Sequence, residues 1–198
     1  MNKIAIKIID LLLSNNIIKE TDKNIYVYGM ELMLTSVSEI LFILLISIIA
    51  GNFVETSIFL AVFLPIRIYA GGYHADTRLR CFLIFVGVYI LFSICIHILD
   101  WKQYEYAAIL ISVINIISVT LFAPLKNKNK KLTDAEVKKY KRISILLSVI
   151  AGSVIILLSA LNRCGVSFGS VSLALFTVLI SLITGKIKNF ILERGFRP

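Results

Sequence analysis

Residues 81–99, 106–125, 143–162 and 164–185 contain no Asp, Glu, Lys or Arg, and these uncharged runs constrain the fold more than any other feature. A helix needs about 20 apolar residues to cross roughly 30 Å of bilayer hydrocarbon. Two further stretches are less clean. Residues 33–52 are long enough but carry Glu39, and residues 54–70 are interrupted near their end by Pro65 and Arg67. The expectation is an all-α integral membrane protein with about six transmembrane helices. Composition agrees, because 58% hydrophobic residues, 17% charged residues and a mean hydropathy of +0.88 lie well outside the range of soluble domains. With no internal repeat and no soluble segment, residues 1–198 read as one membrane-embedded domain. Within it, 1–32 is an N-terminal amphipathic region, 33–185 a transmembrane bundle and 186–198 a cytoplasmic tail.

The basic residues set the orientation, since short cytoplasmic loops are enriched in Lys and Arg. Lys3, Lys7, Lys19 and Lys23 precede the first span, and Arg67, Arg78 and Arg80 lie between the second and third. Lys126, Lys128, Lys130, Lys131, Lys138, Lys139, Lys141 and Arg142 separate the fourth from the fifth, and Lys186, Lys188, Arg194 and Arg197 follow the sixth. Of 21 basic residues, only Lys102 and Arg163 fall on the other side. Both termini and the segment around residue 74 are therefore expected in the cytoplasm of a multi-pass protein of the cell membrane. The net charge of +9 is spread over membrane-flanking loops without interleaved aromatics, which points to anionic membrane lipid rather than nucleic acid.

Near the N-terminus, Ile4, Ile8, Leu11 and Leu12 share one helical face while Asp10 interrupts the apolar run. An interfacial helix on the inner leaflet fits this pattern better than a signal peptide does. In the Lys-rich loop, Thr133 and Glu136 have the spacing of a capping box, which predicts a short helix starting there.

Residues 67–81 read RIYAGGYHADTRLRC, a cluster of chemistry inside an otherwise greasy chain. Cys81 follows Arg78 and Arg80 at a membrane edge, where cationic neighbours and a helix N-terminal region favour the nucleophilic thiolate. His74 is the side chain suited to take its proton near neutral pH. On one straight helix, positions seven apart are separated by about 10 Å along the axis. The pair therefore works only if the chain folds back between them. Gly71 and Gly72 can end the second span, and Asp76 or Thr77 can cap the next helix. Cys95, inside the third span, and Cys164, at an outer edge, read as small hydrophobes. Too few ligand residues gather for a metal, and no cofactor is implied.

This stretch resembles the active-site signature of the accessory gene regulator protein B (AgrB) family, an Arg followed by Gly-Gly-x-His and, six residues on, a Cys. Here these are Arg67, Gly71, Gly72, His74 and Cys81. The likeness extends to chain length, the six spans, the amphipathic N-terminus and the YGMEL stretch at 28–32. It implies a membrane cysteine endopeptidase with Cys81 as nucleophile and His74 as base. The implied partner is an AgrD-type quorum-sensing propeptide, whose acidic tail is removed through an acyl-enzyme thioester and whose central segment closes into a thiolactone or lactone. A homodimer is also suggested by the resemblance.

Arg67 is expected to clamp the acidic tail or the developing oxyanion, with backbone amides near Gly71 and Gly72 helping; simple snorkelling is its alternative role. Glu39, Glu31 and Asp76 are candidates for an orienting or otherwise functional acid, because an ionisable group within a span is costly to keep there. A competing reading is a small transporter or peptide exporter in which His74 and Cys81 are incidental. A lipid-processing acyltransferase using Cys81 is another.

Overall fold

The computed structural model describes residues 2–15, 17–72, 77–125 and 133–193. His74 and Asp76 lie outside the described residues, as do Lys126, Lys128, Lys130, Lys131, Arg194 and Arg197. The described residues form seven α-helices, a 3-10 turn at Glu20–Asp22 and no strand. The helices are α1 (Asn2–Ser14), α2 (Lys23–Ile49), α3 (Phe53–Ala70), α4 (Arg78–Ile98), α5 (Glu105–Phe122), α6 (Asp134–Ala160) and α7 (Val166–Glu193). Helices α2 to α7 are long and apolar enough to cross a membrane, so the protein is an all-α, multi-pass integral membrane protein.

Several helices outrun the apolar stretches that announce them. The span expected from residue 33 belongs to a helix that begins at Lys23, and the last continues past Lys186 and Lys188 to Glu193. The short helix expected at Thr133 and the span expected at 143 are one element. Thr133 caps α6 in a full capping box, with the Thr133 amide donating to Glu136 Oε2 at 2.8 Å, and nothing interrupts the helix before Ala160. A charge marks where hydrocarbon ends, whereas a helix ends only where its backbone bonding is broken. α3 runs unbroken through Pro65, and its 18 residues give about 27 Å of length, close to a full crossing.

The chain divides into two compact units, Met1–Ile49 and Ala50–Pro198. In the first, α1 packs on α2, and Asp10 Oδ1 pairs with Lys23 Nζ at 2.9 Å. The buried face of α1 is Ala5 and Ile9, whereas Ile4 and Leu11, expected on one apolar face, are 56% and 63% exposed. Two outward-facing aliphatic side chains beside an ion pair suit a helix that also meets a lipid surface.

In the second unit α7 is central. Phe168, Val171, Ala174, Leu175, Val178 and Leu182 are buried at helical spacing, and α3, α4, α5 and α6 all pack against it. Lipid tails are as apolar as leucine, so helices here associate through close packing and polar bonds. Gly152 on α6 provides the first: a Cβ there would stand 3.2 Å from Ile116 Cδ1 of α5. Asn115 provides the second, donating from Nδ2 to the Leu175 carbonyl of α7 at 2.9 Å.

Asn52, at the start of α3, joins that helix to α4. Its Nδ2 donates to Ser93 Oγ at 2.8 Å, and its Oδ1 accepts from Tyr89 OH at 3.1 Å and Thr56 Oγ1 at 3.2 Å. Three of the amide's four hydrogen-bonding positions are used, and Asn52 is itself buried. Asn52→Leu should take a partner from three hydroxyls, those of Thr56 and Tyr89 buried, and cost about 1–2 kcal/mol; thermal unfolding in detergent should show a lower midpoint, and an unchanged midpoint would refute the clasp.

Beyond Asn52, α3 and α4 meet through aromatic rings. Phe59 meets Phe92 with ring centroids 4.6 Å apart, and Phe63 meets Phe85 at 6.4 Å. Arg67 is one turn beyond Phe63 on α3, and Cys81 is one turn before Phe85 on α4.

Candidate active site

The far end of this helix pair holds the residues singled out in the sequence. α3 ends because Gly71 turns into the left-handed region at φ 76, with its amide still donating to the Arg67 carbonyl at 3.0 Å. An L-side chain rarely adopts that backbone, and glycine does so freely. The Leu125 amide donates to the Ala70 carbonyl at 3.0 Å, tying the segment after α5 to the same end. α4 begins at Thr77, whose Oγ1 accepts from the Arg80 amide at 3.3 Å. Of the two caps foreseen, Thr77 fills the position, and Asp76 lies outside the described residues.

Cys81 therefore sits in the first turn of α4, its amide donating to the Thr77 carbonyl at 3.1 Å. Cys81 is in no disulfide and is half-buried. The Arg67 guanidinium lies close enough to Cys81 to interact with it electrostatically. Arg67 donates from Nη1 to Ser181 Oγ of α7, and its Cζ lies 5.7 Å from the Phe63 ring centroid. Gly72 passes directly over this pair, since a Cβ on it would stand 2.8 Å from Arg67 Nη1 and would also collide with Ser181 Oγ.

Arg67, Gly71, Gly72 and Cys81 are thus brought to one end of the second unit. The basic ends of α6 and α7 are there as well, through the edge-on contact of Tyr69 with Tyr140 at 5.3 Å and the Lys186 ammonium 3.6 Å over the Phe122 ring. Glu31 and Glu39 are on α2 of the first unit. Glu31 is buried and Glu39 half-buried. Glu39 is ten residues before the end of α2, about 15 Å along the axis. Among the described residues no three His, Cys, Asp or Glu side chains gather as a metal site would need. Ser181 escaped the sequence reading. It is 114 positions from Arg67, and one serine in an apolar run carries no signal of its own.

The opposite end of this unit holds the two exceptional cations. Lys102 and Arg163 line a pocket of about 370 Å³ together with Glu105, Asn162, Cys164 and Gly165. Burial and the hydrogen-bonded Glu105 carboxylate push the Cys164 thiol upward from the ordinary cysteine range, and Glu105 also accepts from Ser159 Oγ. The two cysteines have contrasting neighbours, a guanidinium at Cys81 and a carboxylate at Cys164. Alkylation by iodoacetamide, which needs the thiolate, should therefore rise at higher pH for Cys164 than for a free cysteine. Glu105→Gln removes the negative charge and should speed it several-fold at neutral pH. Intact-mass measurement in a Cys81→Ala, Cys95→Ala background checks this, and equal rates with and without Glu105 would refute it.

The family model described as Accessory gene regulator B matches residues 5–191. The chain belongs to that family. A curated relative, the accessory gene regulator protein B of Staphylococcus aureus (strain bovine RF122 / ET3-1), is 32% identical over 124 residues, which span 60% of this chain and 63% of the relative. The chain thus aligns with less than two thirds of that relative's length. No solved structure matches.

Proposed function

We propose that this member of the accessory gene regulator B family is a membrane cysteine endopeptidase of a quorum-sensing system, acting on an AgrD-type propeptide. The observation that carries the proposal is the place of Cys81 in the first turn of α4, within electrostatic reach of the Arg67 guanidinium of α3. A thiol at a helix N-terminus beside a fixed cation has the setting of a nucleophile.

In this reading His74 takes the proton of Cys81, and Sγ attacks the carbonyl at the junction between the central segment and the acidic tail. Arg67 and backbone amides near Gly71 and Gly72 support the oxyanion. The C–N bond then breaks, His74 returns the proton to the departing amine, and the central segment stays on Cys81 as a thioester. The propeptide's internal thiol or hydroxyl attacks that thioester, closing a thiolactone or lactone and regenerating the Cys81 thiol. Exchange of one thioester for another is nearly neutral, so ring closure succeeds if water is kept away. The half-buried position of Cys81 favours that exclusion. The site faces the cytoplasm, because the basic residues flank its end of the bundle. The chain works as one membrane-embedded domain, surrounded by lipid and assembled as a homodimer.

The test is mass spectrometry of a synthetic propeptide with an amphipathic leader, an internal cysteine and an acidic tail, incubated with the protein in liposomes. The expected products are the free tail and a cyclic fragment one water lighter than its linear form. A peptide that stays intact but changes sides of the bilayer would overturn the peptidase in favour of an exporter. A fatty acyl group trapped on Cys81 would point to an acyltransferase.

A further inference from the structure

We propose that Ser181, on α7, is a positioning residue for the reaction, holding the Arg67 guanidinium in its working orientation at Cys81. The proposal rests on the peptidase reading of Cys81 and adds to it a residue from the central helix.

Hydroxyls in apolar helices ordinarily bond to their own backbone one turn earlier. Thr177 and Thr184, the neighbours of Ser181 on α7, do so, donating to the Leu173 carbonyl at 2.7 Å and the Ile180 carbonyl at 2.8 Å. Ser181 Oγ accepts from a cation on another helix. Arginine is a flexible side chain with about 2 kcal/mol of rotamer entropy, so its use against a reacting group depends on anchors. Phe63 and Ser181 serve Arg67 in this way. Phe63 lies below the guanidinium at 5.7 Å, one turn earlier on the same helix, and Ser181 takes the Nη1 proton from the side of α7. Gly72 closes the third side by having no Cβ to push the pair apart.

α7 is also the right element to carry such an anchor. It is the most enclosed helix of its unit, with Val178, Leu179 and Leu182 buried on either side of Ser181. A hydroxyl fixed there cannot follow a wandering guanidinium, so the guanidinium is held to the hydroxyl. Misplacement by about 1 Å at a reacting group costs as much as a hundredfold in rate. Losing this anchor should therefore appear in the chemical step more than in substrate binding.

The experiment is a double-mutant cycle in liposomes on the synthetic propeptide, with wild type, Ser181→Ala, Arg67→Lys, the double variant and Cys81→Ala. Ser181→Ala should lower kcat about tenfold to a hundredfold with KM changed by less than about threefold. In the Arg67→Lys background the same substitution should cost less than about threefold, because the fork that Ser181 holds is gone. Thermal unfolding of each variant shows whether the fold survives. A Ser181→Ala enzyme with wild-type kcat would overturn the positioning role, and so would losses that multiply independently in the double variant. If Cys81→Ala still cleaves, it is the peptidase reading that falls.

Discussion

Replacing Cys81 by alanine is expected to lower tail removal from the propeptide by about a thousandfold or more, with the unfolding midpoint of the protein little changed. The side chain is half-buried at the start of α4 and fills no interior of the bundle, so the loss belongs to chemistry and not to packing. Covalent catalysis splits one hard step into two easier ones, and removing the nucleophile removes both. His74→Ala should lose a similar factor, because in this scheme the two residues act as one unit and their losses do not multiply. The other cysteines provide the control. Cys95 lies inside α4, and the Cys164 thiol is pushed up by burial and Glu105, so serine at either position should leave activity within about threefold. A Cys81→Ala protein that removes the tail at the wild-type rate would end the peptidase reading outright.

Much of this architecture is written in the spacing of charges. Six apolar stretches become six membrane-length helices, and the two cations that break the inside bias, Lys102 and Arg163, share one pocket at the end of the bundle away from Cys81. Helix ends are less legible, since α2, α6 and α7 all run on into polar residues. Lys and Glu are good helix formers, and leaving hydrocarbon costs a helix none of its backbone bonds. The motif around residue 81 was legible because its residue types are rare in such a chain. Its meaning in space depended on contacts made by Asn52, Phe59, Phe63 and their partners on α4, which no local pattern reveals. Ser181 shows the limit most sharply. Only the packing of α7 against α3 distinguishes it from the other serines of the apolar helices.

Gly72→Ala should lower kcat/KM by about a hundredfold while moving the unfolding midpoint by only a few degrees. The added methyl would stand 2.8 Å from Arg67 Nη1 and would run into Ser181 Oγ, closer than real Cβ contacts, so something must yield. α7 is packed on several sides and Ser181 has a short side chain, whereas Arg67 has four rotatable bonds. Ser181 Oγ, the nearer contact, must turn away, and the guanidinium it holds is displaced with it. Gly71→Ala should behave differently. Its φ of 76 with ψ of −165 is a backbone essentially confined to glycine and penalises an L-residue by about 1–3 kcal/mol, and a Cβ there would press at 3.2 Å on Leu125, so its main effect is on stability. The two variants, measured side by side for cleavage and for unfolding, separate a backbone that must turn from a backbone that must leave room. A Gly72→Ala enzyme within about threefold of wild type would mean that Arg67 has slack at this site, and that its hold by Ser181 is not what the reaction depends on.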